Sequence, residues 1–142
     1  MRRWTVDASV ALKWFIPEVH SEAAKLLLEP NFELVAPDLI YSESGNVLWK
    51  KFNRNELSAS EVQAVRGAIE AVPFQVLPGK DLLESAIELA IALTRTVYDC
   101  MYLAAAVGMK APLVTADRKL YRALAAGPFS QHVHWVEDTF RV

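Results

Sequence analysis

At 142 residues, 53% hydrophobic and 23% charged, the chain has the size and balance of one folded domain, which excludes a disordered or fibrous protein. Its formal net charge of −2, from 15 basic and 17 acidic residues, argues neither for nor against a polyanionic partner. Apolar runs such as Ala86–Leu93 are too short to span a bilayer and carry Glu88, so no membrane association is expected.

The N-terminus does not read as an export signal, because Asp7 and Lys13 interrupt the apolar stretch that should follow Arg2 and Arg3. A single cysteine, Cys100, allows no intramolecular disulfide, and a reducing cytoplasm is the expected compartment. No linker, repeat or low-complexity tract divides the chain. One domain over residues 1–142 is therefore expected.

Short strand-like runs alternate with helical ones, the pattern of an α/β domain with a central parallel sheet of about four to five strands flanked by helices. Arg3–Val6 reads as the first strand and Ser9–Phe15 as a helix stopped by Pro17. Ser21–Leu28 is a second helix, and Glu33–Ala36 a strand closed by Pro37. In Asp38–Asn53 the apolar residues Leu39, Ile40, Val47, Leu48 and Phe52 recur at helical spacing. Ser58-Ala59-Ser60-Glu61 has the form of a capping box opening a helix to about Val72. Phe74–Leu77 is a third strand, and Leu82–Leu93 a helix after Pro78-Gly79. Tyr98–Val107 is a further helix with Gly108 as its C-terminal cap. Pro112–Thr115, helix Arg118–Ala125 and strand Val133–Val136 complete the chain.

Four acidic residues stand where these boundaries fall: Asp7, Glu43, Asp99 and Asp117. Asp7 and Asp117 follow short apolar strands, and ligands of open α/β sheets bind outside the carboxyl ends of the strands. Each acid also has a plainer explanation. Asp7 and Asp117 suit helix N-caps, Asp99 suits the first turn of a nearly uncharged helix, and Glu43 is inconspicuous beside Ser42 and Ser44. Their coincidence favours a shared role. Converging carboxylates raise one another's pKa unless a cation neutralises them, and two divalent ions would balance four negative charges. Setting the four aside leaves 13 acidic against 15 basic residues, a remainder of +2. Mg²⁺ and Mn²⁺ suit such a site as hard cations that take oxygen ligands and keep several waters. An ion pair about 4 Å apart serves phosphodiester hydrolysis without an activated Ser, His or Cys.

At these residues the chain resembles a PIN-domain ribonuclease of the VapC toxin type. The resemblance runs from Val6-Asp7-Ala8-Ser9, through Glu43 with Asn46-Val47-Leu48 and Tyr98-Asp99-Cys100-Met101-Tyr102-Leu103-Ala104, to Leu113-Val114-Thr115-Ala116-Asp117. It implies a compact α/β sandwich and an acidic pocket in which Asp7, Glu43, Asp99 and Asp117 bind Mg²⁺ or Mn²⁺. It also implies endonucleolytic cleavage of RNA, a small antitoxin protein as partner, and a homodimer. Ser9 and Thr115 match positions that often carry a hydroxyl, and take a supporting or water-orienting role; each also reads as an ordinary helix-start or strand residue.

Other features read more plainly. His132 and His134 share a strand face, but a zinc site would need ligands beyond distant Cys100 and His20, so a structural or solvent-facing role is expected. Lys50, Lys51 and Arg54 read as a solvated helix face; Arg118, Lys119 and Arg122, directly after Asp117, suit either that or phosphate contact. Trp14, Phe15, Trp49 and Phe52 are expected in the core, and any exposed part would suit an antitoxin helix or a dimer contact. The rival from another class is a non-catalytic interaction module on the same scaffold, its acids serving only as caps. A receiver domain is disfavoured because Phe74–Leu77 leads into Pro78-Gly79-Lys80 rather than an acceptor Asp. An Asp-x-Asp phosphatase is disfavoured because Ala8 and Ser9 follow Asp7.

Overall fold

A computed structural model of the chain describes residues 2–138; Met1 and residues 139–142, the ends of the expected 1–142 unit, lie outside that description. Five strands form one sheet of order β3-β2-β1-β4-β5, with every neighbouring pair parallel. They are β1 (Arg2–Val6), β2 (Phe32–Pro37), β3 (Gln75–Leu77), β4 (Leu113–Thr115) and β5 (Val133–Trp135). The three central strands carry the apolar runs read from the sequence: Trp4, Val6, Leu34, Val35, Ala36, Leu113 and Val114 are all buried, as parallel strands covered on both faces require.

Between β1 and β2 the chain makes only one α-turn, α1 (Ala8–Ala11), a 3₁₀ turn at Leu12–Trp14, then α2 (Ser21–Lys25) and a second 3₁₀ turn at Leu26–Leu28. The expected continuous helices Ser9–Phe15 and Ser21–Leu28 are thus each tightened in their second half. The longer helices are α3 (Leu39–Asn53), α4 (Ala59–Ala71), α5 (Gly79–Leu93), α6 (Val97–Met109) and α7 (Arg118–Ala125). The capping box of α4 forms as read: Ser58 Oγ accepts from the Glu61 N–H at 3.1 Å, and Glu61 Oε1 accepts from the Ser58 N–H at 2.8 Å.

Two helix ends depart from the sequence reading. The α5 helix starts at Gly79 rather than Leu82, because Asp38 Oδ1 accepts the Gly79 N–H at 3.1 Å and draws the turn into the helix. Gly108 does not cap α6. The left-handed residue is Lys110, φ 52°, whose N–H bonds Val107 O at 3.4 Å while Ala111 N–H bonds Ala106 O at 2.9 Å, the double bond of a Schellman end.

The α6 helix packs across β1, β2 and β4, and α5 lies against α6. Cys100, Tyr102, Leu103, Ala104, Ala105 and Ala106 bury the α6 faces, with small alanines allowing close approach. Among the described residues no single helix is long and apolar enough to cross a membrane; α5 and α6 meet at a bend of 114°. Trp14 is buried and Phe15 packs against the core, as expected, but Trp49 and Phe52 are exposed, 58% and 46%. The α3 helix buries Ile40, Ser44 and Leu48 instead; Phe52 continues that row of every fourth residue but stands at its exposed end.

Candidate functional site

The sheet order reverses between β1 and β4, and that crevice is where an open α/β sheet offers a ligand site. Asp7 follows directly on β1, and Asp117 stands two residues beyond β4, so both flank the reversal at its carboxyl edge. Both are helix N-caps as well. Asp7 Oδ1 accepts from Val10 N–H and Asp117 Oδ1 from Leu120 N–H, each at 3.2 Å. Capping uses one oxygen of each carboxylate, and each carboxylate oxygen can accept more than one hydrogen bond.

Asp7 is the buried member, 5% exposed. Two hydroxyls grip it: Ser9 Oγ donates to Oδ1 and Thr115 Oγ1 to Oδ2. Those hydroxyls are fixed from behind, because Ser9 Oγ accepts the Ala116 N–H at 3.1 Å and Thr115 Oγ1 the Asp117 N–H at 3.0 Å. The turn from β4 into α7 is thereby bolted to the Asp7 carboxylate. Burial pushes the Asp7 carboxyl up to about 6, despite these hydrogen bonds, and the Asp117 charge adds to the rise.

Glu43, half-buried on α3, is held by the Tyr102 hydroxyl, which donates to its Oε1 at 3.1 Å. Its carboxyl is also pushed up, first by burial and then by the charges of Asp7, Asp99 and Asp117. The other three carboxylates therefore lie within electrostatic reach of Glu43. Asp99 sits in the first turn of α6, where its N–H is capped by Thr96 Oγ1 at 3.1 Å and its Oδ2 meets Arg95 Nη2 at 3.1 Å. Among the described residues Arg95 is the only cation in ion-pair contact with any of the four acids.

Tyr102 is the functional residue the sequence reading passed over. Its phenol is buried and pushed far up by that burial and by the Glu43 and Asp7 charges, so it stays a donor. A Tyr three positions after Asp99, on the same side of a helix, was the available signal.

The donor set fits a divalent cation: hard carboxylate oxygens, one of them in a buried group, with a single guanidinium to offset four negative charges. The fit is open rather than closed. Among the described residues no three His, Cys, Asp or Glu side chains are gathered tightly enough to hold an ion by themselves. Mg²⁺ tolerates this, since it keeps several waters and binds through few carboxylates. A depression of about 360 Å³, lined by Leu39, Ser42, Glu43, Asn46 and Tyr98, opens beside Glu43. A larger one, about 440 Å³ between Leu27 and Gln75, contains none of the four acids.

The remaining candidates are dispersed. His20 pairs with Glu137 at 3.0 Å, and His134 stands edge-on to Trp4 at 5.2 Å, its pKa lowered by burial. Lys51 is drawn to Glu18 at 3.5 Å and shares that carboxylate with Lys13. Arg118 lies over the Trp135 ring, 4.4 Å from its centroid.

Fold and site together define a compact α/β domain with an acidic cleft at the switch point of a parallel sheet. The chain belongs to the PIN-domain family and is of the VapC type: the PIN-domain pattern matches residues 5–125. It is 32% identical to Ribonuclease VapC3 of Pyrobaculum aerophilum over 117 residues, covering 81% of this chain and 89% of that protein. Its fold matches the crystal structure of PAE2754 from Pyrobaculum aerophilum with a TM-score of 0.72 at 23% identity, over 96% of this chain and 85% of that one. It also matches a toxin–antitoxin complex from Klebsiella pneumoniae, with a TM-score of 0.64 at 17% identity, over 92% and 95% of the two chains.

Proposed function

We propose that the chain, as one nuclease domain, is a Mg²⁺- or Mn²⁺-dependent endoribonuclease and the toxin of a toxin–antitoxin pair. The observation that carries this reading is that Asp7 and Asp117 flank the switch point of a PIN-domain sheet, with Glu43 and Asp99 near enough for their charges to interact. Asp7, Glu43, Asp99 and Asp117 would hold the cation. When bound, such an ion lowers the pKa of water and offsets charge developing on the phosphodiester.

The protein's part is orientation. Ser9 and Thr115 fix both oxygens of Asp7, Tyr102 fixes Glu43, and Arg95 holds Asp99. The net reaction adds water across a P–O bond of RNA. Its substrate class is supported by the relative named a ribonuclease.

An antitoxin is supported by the structural neighbour described as a toxin–antitoxin complex, and by the apolar groove between α3 and α4 that displays Trp49, Phe52 and Val62. A homodimer and a cytoplasmic location complete the proposal. The exposed Leu83, Ile87 and Ile91, recurring every four residues along α5, support a dimer contact.

The test is incubation of antitoxin-free protein with a panel of structured RNAs in Mg²⁺, Mn²⁺ or EDTA, beside Asp7→Asn. Cleavage should need metal and vanish in the folded variant. Metal-independent cleavage would refute the assignment. Neither cleavage nor Mn²⁺ binding would favour the non-catalytic interaction module.

A further inference from the structure

We propose that Arg118, laid over the Trp135 ring beside the acidic cleft, binds a backbone phosphate of the RNA strand. The inference rests on the nuclease reading above and assigns a substrate contact which that reading lacks.

The α7 helix opens with two cations, Arg118 and Lys119, and has no acidic residue in its first turn. Cations are disfavoured at a helix N-terminus, where the peptide dipoles already place positive charge. The packing of α7 does not require them either, since it buries Leu120 and Leu124. What holds Arg118 is an aromatic platform. Its guanidinium carbon lies 4.4 Å from the Trp135 ring centroid, and the 7%-exposed indole is braced edge-on by His20 at 5.3 Å and by a tilted Tyr121 ring at 5.8 Å.

The platform stands in register with the site. Trp135 on β5 pairs with Thr115 on β4, and the Thr115 hydroxyl is bonded to Asp7 and to the Asp117 N–H. Arg118 is the next residue along. Stacking fixes the plane of a guanidinium and leaves its N–H edge facing outward, the geometry that suits a phosphate. Among the described residues no hydrogen bond or ion pair occupies that edge, although four carboxylates share the same end of the sheet. An arginine held over an aromatic ring, with no described hydrogen bond or ion pair on its donors, on the rim of a phosphodiester-cleaving cleft is placed to position the backbone without reading the sequence.

The experiment is initial-rate cleavage of a mixed-sequence single-stranded RNA in Mn²⁺ across a salt series. It compares the wild-type chain with Arg118→Ala, Arg118→Gln and Arg118→Lys, each checked for folding by circular dichroism. The Ala and Gln variants should raise KM about tenfold, change kcat less than about threefold, and lower the salt slope of log(kcat/KM) by about one. Gln keeps a planar group on the indole, so its loss separates charge from packing. Lys should restore the slope and only part of the affinity. Arg66→Ala, which removes a cation paired with Glu70 on α4, should change none of these values.

Wild-type KM and salt slope in folded Arg118→Ala and Arg118→Gln would overturn this inference while leaving the nuclease standing. A wild-type protein that cleaves no RNA would overturn the nuclease reading and this inference with it.

Discussion

Asp7 is asked to be a helix cap, a buried group and an anion at once, and its environment raises its pKa from 3.8 to about 6. The folded state therefore binds more protons than the unfolded one between those values, so metal-free stability falls as pH rises through that window and stays lowered above it. The full effect is about 3 kcal/mol. Asp7→Asn removes the charge while Ser9 and Thr115 can still bond the amide. Without metal, urea unfolding should find the variant about 1–3 kcal/mol more stable than wild type at pH 8, with no gain at pH 3.5. Equal stabilities at pH 8 would contradict the buried charge. Tyr102→Phe tests the neighbouring acid. Its hydroxyl lowers the Glu43 pKa, so removing it lets that pKa rise further. Cleavage should drop roughly tenfold at pH 8 and more steeply at pH 6, as pH–rate profiles would show.

Among the elements, the joint between α5 and α6 carries local backbone strain. Thr94 caps α5 at φ 55°, a left-handed conformation that a β-branched residue rarely adopts, directly before Arg95 and the first turn of α6. Thr94→Gly should raise unfolding stability by about 0.5–1 kcal/mol in urea titration. A loss of stability would mean that the threonine side chain is held by contacts outweighing its backbone cost. This joint also shows where sequence reading stops. The strands and the positions of Asp7 and Asp117 were legible, because a carboxylate after a short apolar run falls at a strand end whatever the tertiary details. Glu43 was the least conspicuous of the four, since the direction of a helical side chain depends on how α3 rolls against the sheet. Tyr102 was missed because its partner lies 59 positions away, and Gly108 was taken for the cap that Lys110 provides. Phe52 fits the apolar spacing of α3, yet it and Trp49 remain exposed.

For the molecule as a whole, the proposed cation site should link metal binding to folding. Four carboxylates with one paired arginine repel one another until a cation arrives, so ligand binding should appear as stability. At Mn²⁺ about a hundredfold above its dissociation constant, the gain is about 2.7 kcal/mol, several degrees in thermal midpoint for a domain of this size. Calorimetric scans should show that shift above pH 6 in wild type, and its absence in Asp7→Asn. A shift shared by both would place the ion elsewhere. The central claim, that these four side chains form one cation site, is tested most directly by crystals grown with Mn²⁺ and measured for anomalous scattering. The expected result is a peak bridged by Asp7 and at least one of Glu43, Asp99 and Asp117, with waters completing the shell. A Mn²⁺-saturated crystal with no peak in the cleft, and Arg95 still paired with Asp99, would contradict it.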